Sequence, residues 1–209
     1  MYFKDRIDAA NLLVKSLEFL DGQNPLVLAI PRGGVPLGRV IADKLHGELD
    51  VVLVRKLGAP HDPEFAIGAL SESGWFFVAD YAQQAGANQT YIDELIKEQA
   101  ALIRKRRAQY TPVHLPIDPK GRVVVVVDDG LATGATMLAA LNSVRASQPK
   151  RLICAVPVAS LESLHLIKGI CDELICLHSV IDFGGVGSFY QNFDQVEDNE
   201  VIEYLTNHH

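Results

Sequence analysis

A run of five valines, Val123 to Val127, constrains the fold of this chain more than any other feature. Valine is β-branched and favours strands. A strand with one face in water alternates apolar and polar residues, whereas this run is unbroken. We therefore predict a strand that is buried on both faces, as in parallel sheets with helices packed on both sides.

Other apolar segments repeat this pattern, and segments with helical periodicity separate them. The predicted strands lie in PLVLAIPRGG, LDVVLVRKL, RLICAVPV and ELICLH, with two more around the Ser-Gly turn of FAIGALSESGWFFVA. The predicted helices span Asp5 to Leu20, Leu37 to Leu45, Thr90 to Tyr110, Leu138 to Val144 and Ser160 to Lys168. These elements predict an α/β fold with a parallel sheet flanked by helices on both faces, whose ligands bind at the carboxyl ends of the strands.

Composition narrows the class of protein. The 209 residues are 48% hydrophobic and 22% charged, which is typical of a globular domain. A net charge of -7 disfavours nucleic acid as a partner. No apolar run approaches the roughly 20 residues that cross a bilayer, and the first residues lack the apolar core of a secretory signal. Since three cysteines at irregular spacing do not suggest a disulfide framework, we expect a cytoplasmic protein with no membrane partner.

The valine run leads directly into two acidic residues and a loop of small residues. Asp128 and Asp129 stand where a buried strand meets solvent, and their repulsion favours a compensating ligand, such as sugar hydroxyls or a hydrated cation. The loop from Leu131 to Thr136 leads into a helix, whose first N–H groups favour an anion. A phosphorylated ribose would satisfy both ends of this segment. The alternative is a helix cap, which accounts for one acid but not for two.

Two other segments at predicted strand ends carry positive charge. Arg32 and Gly33 precede a helix, so they would form an anion cradle; a glycine turn with a solvated arginine is the alternative. Arg55 and Lys56 end another apolar strand, and the alternative for them is a solvated strand end. Because the carboxyl ends of parallel strands share one edge, these segments predict one site for a phosphate, a sugar and further phosphates.

The strings AIPRGG, VRKLGAPHDPEFAIGA and VDDGLATGAT together resemble the motifs of type I phosphoribosyltransferases. The signature of that family is an apolar strand, two acidic residues and a Thr-Gly-x-Thr loop, and Val124 to Thr136 matches it. The resemblance extends from about Leu26 to the end of the chain and is strongest to members whose acceptor is undefined. It implies a transferase of nucleotide metabolism that binds phosphoribosyl pyrophosphate with Mg²⁺, releases pyrophosphate and forms a homodimer.

The resemblance also implies a role for each motif. Asp128 and Asp129 would hold the ribose hydroxyls and assist catalysis, and would meet Mg²⁺ through water if at all. The residues implied for the 5′-phosphate are Ala132, Thr133, Gly134, Ala135 and Thr136. Those implied for pyrophosphate are Arg32, Gly33, Arg55 and Lys56. A non-proline cis peptide is common in the pyrophosphate loop of the family, and we expect it between Arg32 and Gly33.

The resemblance leaves the acceptor open. Ala132 stands where 6-oxopurine enzymes of the family have an aspartate, which argues against hypoxanthine or guanine. We predict a single domain, residues 1–209, with a core of about residues 24–178 and a base-covering hood of residues 179–209, alone or with residues 1–20. Its aromatic side chains would stack on a planar base or, alternatively, pack the tail onto the core. They are Phe183, Phe189, Tyr190 and Phe193.

Two polar segments remain to be interpreted, and two functions other than base phosphoribosylation stay open. After Lys56, Glu64 or His61 is the candidate general acid or base of a loop that closes over the site, against the alternative of a solvated loop. The basic run from Arg104 to Arg107 is interpreted as a solvated helix end. The same sugar-phosphate site would also suit a regulator that senses phosphoribosyl pyrophosphate without turnover, or a transferase with a non-base acceptor.

Overall fold

The computed structural model describes residues 2–206, apart from the side chain of Glu64. Within these residues the strands are β1 Leu26–Ala29, β2 Glu48–Val51, β3 Val54–Ala59, β4 Asp62–Ser71, β5 Phe76–Val78, β6 Val123–Val127, β7 Arg151–Ser160 and β8 Glu173–Val180. The main sheet has five strands in the order β2-β1-β6-β7-β8, all paired in parallel. A second sheet has the order β3-β4-β5 and is antiparallel.

Helices cover both faces of the main sheet, which confirms the predicted fold class. They are α1 Arg6–Leu17, α2 Gly34–Lys44, α3 Gln89–Tyr110, α4 Ala135–Ala146, α5 Leu161–Ile167 and α6 Asp198–Thr206. On one face α1 and α2 pack in a common core with α6, and on the other face α4 and α5 form a second core. The long helix α3 packs against β3 and β4. None of these helices, as far as residues 2–206 are concerned, is long and apolar enough to span a membrane.

The valine strand lies at the centre of the main sheet, between β1 and β7. Val123, Val125 and Val127 point into the core beneath α1 and α2, while Val124 and Val126 point into the core beneath α4. Four of the five valines are 0% exposed and Val123 is 7% exposed. The prediction of a strand buried on both faces is therefore confirmed.

The segment LDVVLVRKL, in contrast, is not one strand as predicted. Its first part is β2 of the parallel sheet, and after Val52 and Leu53 the chain continues as β3, which pairs antiparallel with β4. Both parts are apolar, so hydrophobicity does not reveal the change of partner. Arg55 and Lys56 consequently lie near the start of β3 and not at the end of a strand.

The N-terminal segment and the C-terminal tail are joined by backbone hydrogen bonds. The N–H of Phe3 donates to the carbonyl of Phe189 at 2.8 Å, and the N–H of Gln191 donates to the carbonyl of Phe3 at 2.8 Å. Farther along the tail, the hydroxyl of Tyr110 on α3 donates to the carboxylate of Asp198 at 2.7 Å. These contacts attach the N-terminal segment to the tail and the tail to α3.

Candidate functional site

Three segments meet at the carboxyl ends of β1, β6 and β7. The N–H of Ile30 donates to the carbonyl of Val127 at 2.9 Å, which continues the pairing of β1 with β6. The N–H of Leu131 donates to the carbonyl of Val158 at 2.9 Å, and the N–H of Ser160 donates back to Leu131 at 3.0 Å. The loops after β1 and β6 are thereby fixed next to each other, as expected for the ligand-binding edge of a parallel sheet.

The acid pair, Asp128 and Asp129, faces the glycine loop that follows β1. A side chain at Gly33 would overlap the Asp129 carboxylate. A Cβ at Gly34 would lie 2.7 Å from the carbonyl oxygen of the last residue of β6. Glycine is therefore needed at both positions for the loop to approach the acid pair this closely.

Arg6, the first residue of α1, forms an ion pair with one member of the acid pair. Its Nε and Nη2 both lie 2.9 Å from Oδ2 of Asp129, and its Nη1 donates to the carbonyl of Asp194 at 2.7 Å. Its guanidinium carbon lies 3.9 Å from the centre of the Phe193 ring. The Arg6 and Asp129 side chains are only 11% and 13% exposed, so solvent screens their attraction weakly. Sequence reasoning missed Arg6, because a helical pattern does not indicate a partner 123 positions away.

Burial raises the pKa values of both members of the acid pair. The pKa of Asp128 is well above its ordinary value, first because the carboxyl is buried and then because of the Asp129 charge. Burial raises the pKa of Asp129 as well, but the Arg6 guanidinium opposes that shift. The Asp128 carboxylate accepts a 2.8 Å hydrogen bond from the N–H of Asp129. This arrangement favours Asp129 as the ionised member of the pair.

The small loop after the acid pair ends at the N-terminus of α4. Gly134 has a φ of +77°, which glycine adopts without steric cost, and it provides no side chain to cap the helix. The N–H of Ala135 makes only a long contact of 3.5 Å with the Thr133 hydroxyl. Ala132 and Thr133 are exposed and Thr136 is half-buried. The first turn of α4 therefore offers N–H and hydroxyl donors to an anion.

A cationic cavity connects this loop with the basic residues of β3. The cavity has a volume of about 580 Å³, and Pro31, Arg55, Lys56 and Thr136 lie in its wall with residues of α3 that include Tyr91, Glu98, Gln99 and Arg106. The Nε of Arg55 donates to Oε1 of Gln99 at 2.9 Å. Burial lowers the pKa of Arg55, and the nearby charge of Arg106 lowers it further. Positive charge is thus concentrated around a cavity whose wall also includes the start of α4.

The basic run at the end of α3, Arg104 to Arg107, is not simply a solvated helix end as interpreted. Arg106 is half-buried and lines the cationic cavity. Arg107 forms ion pairs with Glu72 at 2.6 Å and with Asp50 at 3.3 Å. The interpretation was wrong for these two residues, because helical periodicity does not show which loops pack against a helix end.

The tail holds the arginine of the glycine loop. The Nη1 of Arg32 lies 3.1 Å from Oε2 of Glu197, and these side chains are 26% and 58% exposed. The cis peptide of this loop joins Pro31 to Arg32. Its predicted position, between Arg32 and Gly33, was therefore wrong by one residue, since the motif marks the loop but does not specify the bond.

The family of the chain follows from comparison with known proteins. The family model of the phosphoribosyl transferase domain matches residues 4–192. The chain belongs to this family. A Mycobacterium tuberculosis protein named "Putative phosphoribosyl transferase Rv0571c" is 36% identical over 208 residues, which cover 99% of this chain and 47% of that protein. The chain thus spans about half the length of the curated relatives that it matches.

Solved structures of other proteins share the phosphoribosyltransferase fold of this chain. The crystal structure of TT1426 from Thermus thermophilus is 44% identical, has a TM-score of 0.84, and covers 99% of this chain and 98% of its own. A hypothetical protein from Neisseria gonorrhoeae with bound ppGpp is 15% identical, has a TM-score of 0.51 and covers 97% of both chains, which shows a common fold alone.

The structure brings most of the phosphoribosyltransferase motif residues into one region. Asp128, Asp129, Arg32 and Gly33 lie together where β1 and β6 end, and the loop Ala132 to Thr136 follows directly. Arg55 and Lys56 reach the same region from β3 and not from a strand-end loop. The side chain of Glu64 lies outside the described residues, so its catalytic role stays a prediction. His61 is exposed in the turn between β3 and β4.

The aromatic residues of the tail contact the core and one another. The Tyr190 ring stacks on Phe193 at 4.9 Å, and its hydroxyl donates to the carbonyl of Asp129 at 2.7 Å. Burial raises the pKa of Tyr190, as does the nearby Asp129 charge. Phe183 and Phe189 stack on each other with ring centres 5.3 Å apart. These contacts match the alternative in which aromatics pack the tail onto the core, and stacking on a base stays a prediction.

The carboxylate oxygens at this site suit Mg²⁺ only in combination with a phosphorylated ligand. Among residues 2–206, no group of three or more His, Cys, Asp or Glu side chains is arranged to hold a metal ion. Asp128 and Asp129 supply two carboxylates. Mg²⁺ commonly takes one or two carboxylates and completes its shell with phosphate oxygens and water, so the pair fits this ion in that way.

Proposed function

We propose that this chain transfers the phosphoribosyl group of phosphoribosyl pyrophosphate to a nitrogenous, base-like acceptor and releases pyrophosphate. The observation that carries the proposal is the cationic cavity of about 580 Å³, whose wall contains Pro31, Arg55, Lys56 and Thr136. Anion-binding groups of β3 and of the start of α4 thereby face one space, which the glycine loop borders through Pro31. Membership of the phosphoribosyltransferase family supports the same function.

Each part of phosphoribosyl pyrophosphate has a matching group in this region. Ribose hydroxyls would donate hydrogen bonds to Asp128 and Asp129, which supplies the compensation that two adjacent carboxylates need. The loop from Ala132 to Thr136, which leads into the first turn of α4, would hold the 5′-phosphate. Arg32 and Gly33, with Arg55 and Lys56, would hold the pyrophosphate.

The reaction is a displacement at C1 of the ribose. The bond from C1 to the pyrophosphate oxygen breaks, its electron pair leaves with pyrophosphate, and the acceptor nitrogen forms a new bond to C1. Positive charge develops on the ribose ring as the old bond lengthens, so the ionised carboxylate of Asp129 would stabilise the transition state. Arg32 and Arg55 would stabilise the charge of the leaving group. A proton lost by the acceptor needs a base, for which Glu64 is the candidate.

Mg²⁺ is the proposed cofactor. Asp128 and Asp129 would help, through water, to hold it against the oxygens of the bound substrate. When bound, the ion would supply positive charge at the leaving pyrophosphate. Removal of divalent cations by a chelator should therefore abolish pyrophosphate release, and release that persists in the chelator would contradict this role.

The test of the function is pyrophosphate release from phosphoribosyl pyrophosphate and Mg²⁺ across a panel of acceptors. The panel contains purine and pyrimidine bases together with non-base amines, and the Asp128→Asn/Asp129→Asn double variant is the control. Release with one base that is lost in the control supports the proposal. Ala132 leads us to expect none with hypoxanthine or guanine.

The other outcomes separate the two alternatives. Saturable binding of phosphoribosyl pyrophosphate without release for any acceptor would indicate a regulator. Release only with a non-base amine would indicate a transferase of another acceptor class. Neither binding nor release would refute all three functions.

We further propose that two copies of the chain pair and that the protein works in the cytoplasm. Phe65 and Tyr81 support pairing, because their rings lie 5.6 Å apart and are 48% and 45% exposed beside the β3–β4 hairpin. Sedimentation equilibrium should give a dimer, and Phe65→Ser/Tyr81→Ser should shift it towards monomer. A monomeric wild-type protein would contradict the pairing. Free cysteines at all three positions suit a reducing cytoplasm.

A further inference from the structure

Two acidic residues where α6 begins contact two arginines of the candidate site. Oε2 of Glu197 lies 3.1 Å from Nη1 of Arg32, and Oδ1 of Asp198 lies 3.7 Å from Nε of Arg106. Asp198 also accepts the 2.7 Å hydrogen bond from Tyr110, which ties the start of α6 to α3. The tail therefore presents two carboxylates to the basic side of the site.

Arg106 lines both cavities on this side of the molecule. A second cavity, of about 210 Å³, shares Pro31, Arg55 and Arg106 with the cationic cavity and also contains Asp198 in its wall. The charge of Arg106 lowers the pKa of Arg55, so the two guanidinium groups repel each other. Glu98 opposes this effect in part. Two like charges around one cavity are stabilised most effectively by a multivalent anion that bridges them.

We propose that Arg106 is a further pyrophosphate-binding residue, and that Glu197 and Asp198 compete with pyrophosphate for Arg32 and Arg106. The inference rests on the proposed function, since it concerns the same site. A carboxylate on an arginine uses the N–H donors that a phosphate oxygen would use. A pyrophosphate group that binds Arg32 therefore breaks its ion pair with Glu197.

The competition links the pyrophosphate-binding arginines to the tail. The segment before Glu197 carries Tyr190 and Phe193, which contact Asp129 and Arg6 at the acid pair. When pyrophosphate binds Arg32, the start of α6 loses its ion pair with the glycine loop. Pyrophosphate bound to Arg32 thereby loosens the segment that covers the sugar end of the site.

The first experiment titrates inorganic pyrophosphate with Mg²⁺ into the protein by calorimetry. Glu197→Gln removes the competing charge and keeps the size of the side chain, so we expect binding to tighten about 2- to 5-fold, as for an exposed ion pair. Glu203→Gln is the matched control: it lies on α6, is exposed and changes the net charge equally. Its affinity for pyrophosphate should equal that of the wild type.

The second experiment tests Arg106 in the same assay. Arg106→Gln should weaken pyrophosphate binding about 10-fold, since it removes one charge-assisted contact, whereas Arg106→Lys keeps the charge and should retain most of the affinity. Arg104→Gln is the matched control, because Arg104 is exposed on the same helix and lines a different cavity. Its affinity should not change. Circular dichroism would check that each variant keeps the wild-type helical signal.

The outcomes distinguish this inference from the proposed function. If Glu197→Gln fails to tighten binding, or Arg106→Gln behaves as Arg104→Gln does, the inference is overturned whatever the turnover. If the affinities change as stated and no acceptor supports pyrophosphate release, the inference stands and the proposed transferase function fails.

Discussion

The ion pair between Arg6 and Asp129 supports the most specific prediction about stability. Arg6→Met removes the guanidinium but keeps an unbranched side chain that can fill the same space. In the wild type two nitrogens of Arg6 lie 2.9 Å from one carboxylate oxygen, and both side chains are largely buried. Without Arg6, the Asp129 carboxylate would remain next to Asp128 with no guanidinium against it.

The expected loss follows from this geometry. Two unit charges about 4 Å apart attract by roughly 4 kcal/mol at an effective dielectric constant of about 20. Part of this offsets the desolvation of both groups, so we expect a coupling energy of about 2–3 kcal/mol between Arg6 and Asp129. Arg6→Met should lower the free energy of unfolding by about 3–4 kcal/mol at pH 7, because it also removes the contacts with Phe193 and Asp194.

The loss should also depend on pH in one direction. Without Arg6, no guanidinium charge opposes the effect of burial, so the pKa of Asp129 rises further above its unfolded value. The folded state then binds a proton more tightly than the unfolded state, so stability falls as pH rises from the unfolded pKa, about 4, through the folded one. Arg6→Met should therefore be closer to the wild type at pH 4 than at pH 7.

A double-mutant cycle measures this coupling. Urea unfolding of the wild type, Arg6→Met, Asp129→Asn and the double variant at pH 4 and pH 7 gives the pairwise energy free of the Phe193 contact. A coupling energy near zero at pH 7 would refute the reasoning, and so would a destabilisation that is larger at pH 4.

Three further substitutions test other parts of the site. Asp128→Asn should raise the free energy of unfolding by about 0.5–2 kcal/mol at pH 7, since it removes a buried carboxyl group whose raised pKa costs stability above the unfolded pKa of about 4. Urea titrations should show this gain shrinking towards pH 4, and a gain that grows there would contradict the raised pKa. Gly33→Ala should abolish calorimetric binding of phosphoribosyl pyrophosphate, because its Cβ would overlap the Asp129 carboxylate, and wild-type affinity would disprove that close approach. Tyr190→Phe should lower the unfolding free energy by about 1 kcal/mol through loss of the hydrogen bond to Asp129, and no change would count against that bond.

The central strand and its acid pair could be predicted because their signals are local. Five consecutive valines specify burial on both faces, and Asp128 and Asp129 come next in the chain. The loop to Thr136 is contiguous with them, so one short motif contains the residues that are proposed to bind the sugar and the 5′-phosphate. The fold class followed from the same pattern repeated in the other apolar segments.

The contacts made by the two chain ends could not be predicted. Arg6 and Asp129 are 123 positions apart, and Arg32 and Glu197 are 165 positions apart. Charged residues at a helix start are common on protein surfaces, so sequence alone does not pair them with a distant partner. Arg106 was missed for a related reason, because its contact depends on how α3 lies against β3.

Direct binding of phosphoribosyl pyrophosphate tests the central claim. This claim is that the acid pair, the glycine loop after β1 and the loop from Ala132 to Thr136 form one substrate site. Calorimetry with Mg²⁺ should give one saturable site per chain for the wild type. Ribose 5-phosphate and inorganic pyrophosphate should each compete for it, because each would occupy one half of the site. The Asp128→Asn/Asp129→Asn variant should bind at least about 10-fold more weakly, as expected when charge-assisted contacts are lost. Wild-type affinity in that variant, or no binding by the wild type, would contradict the account.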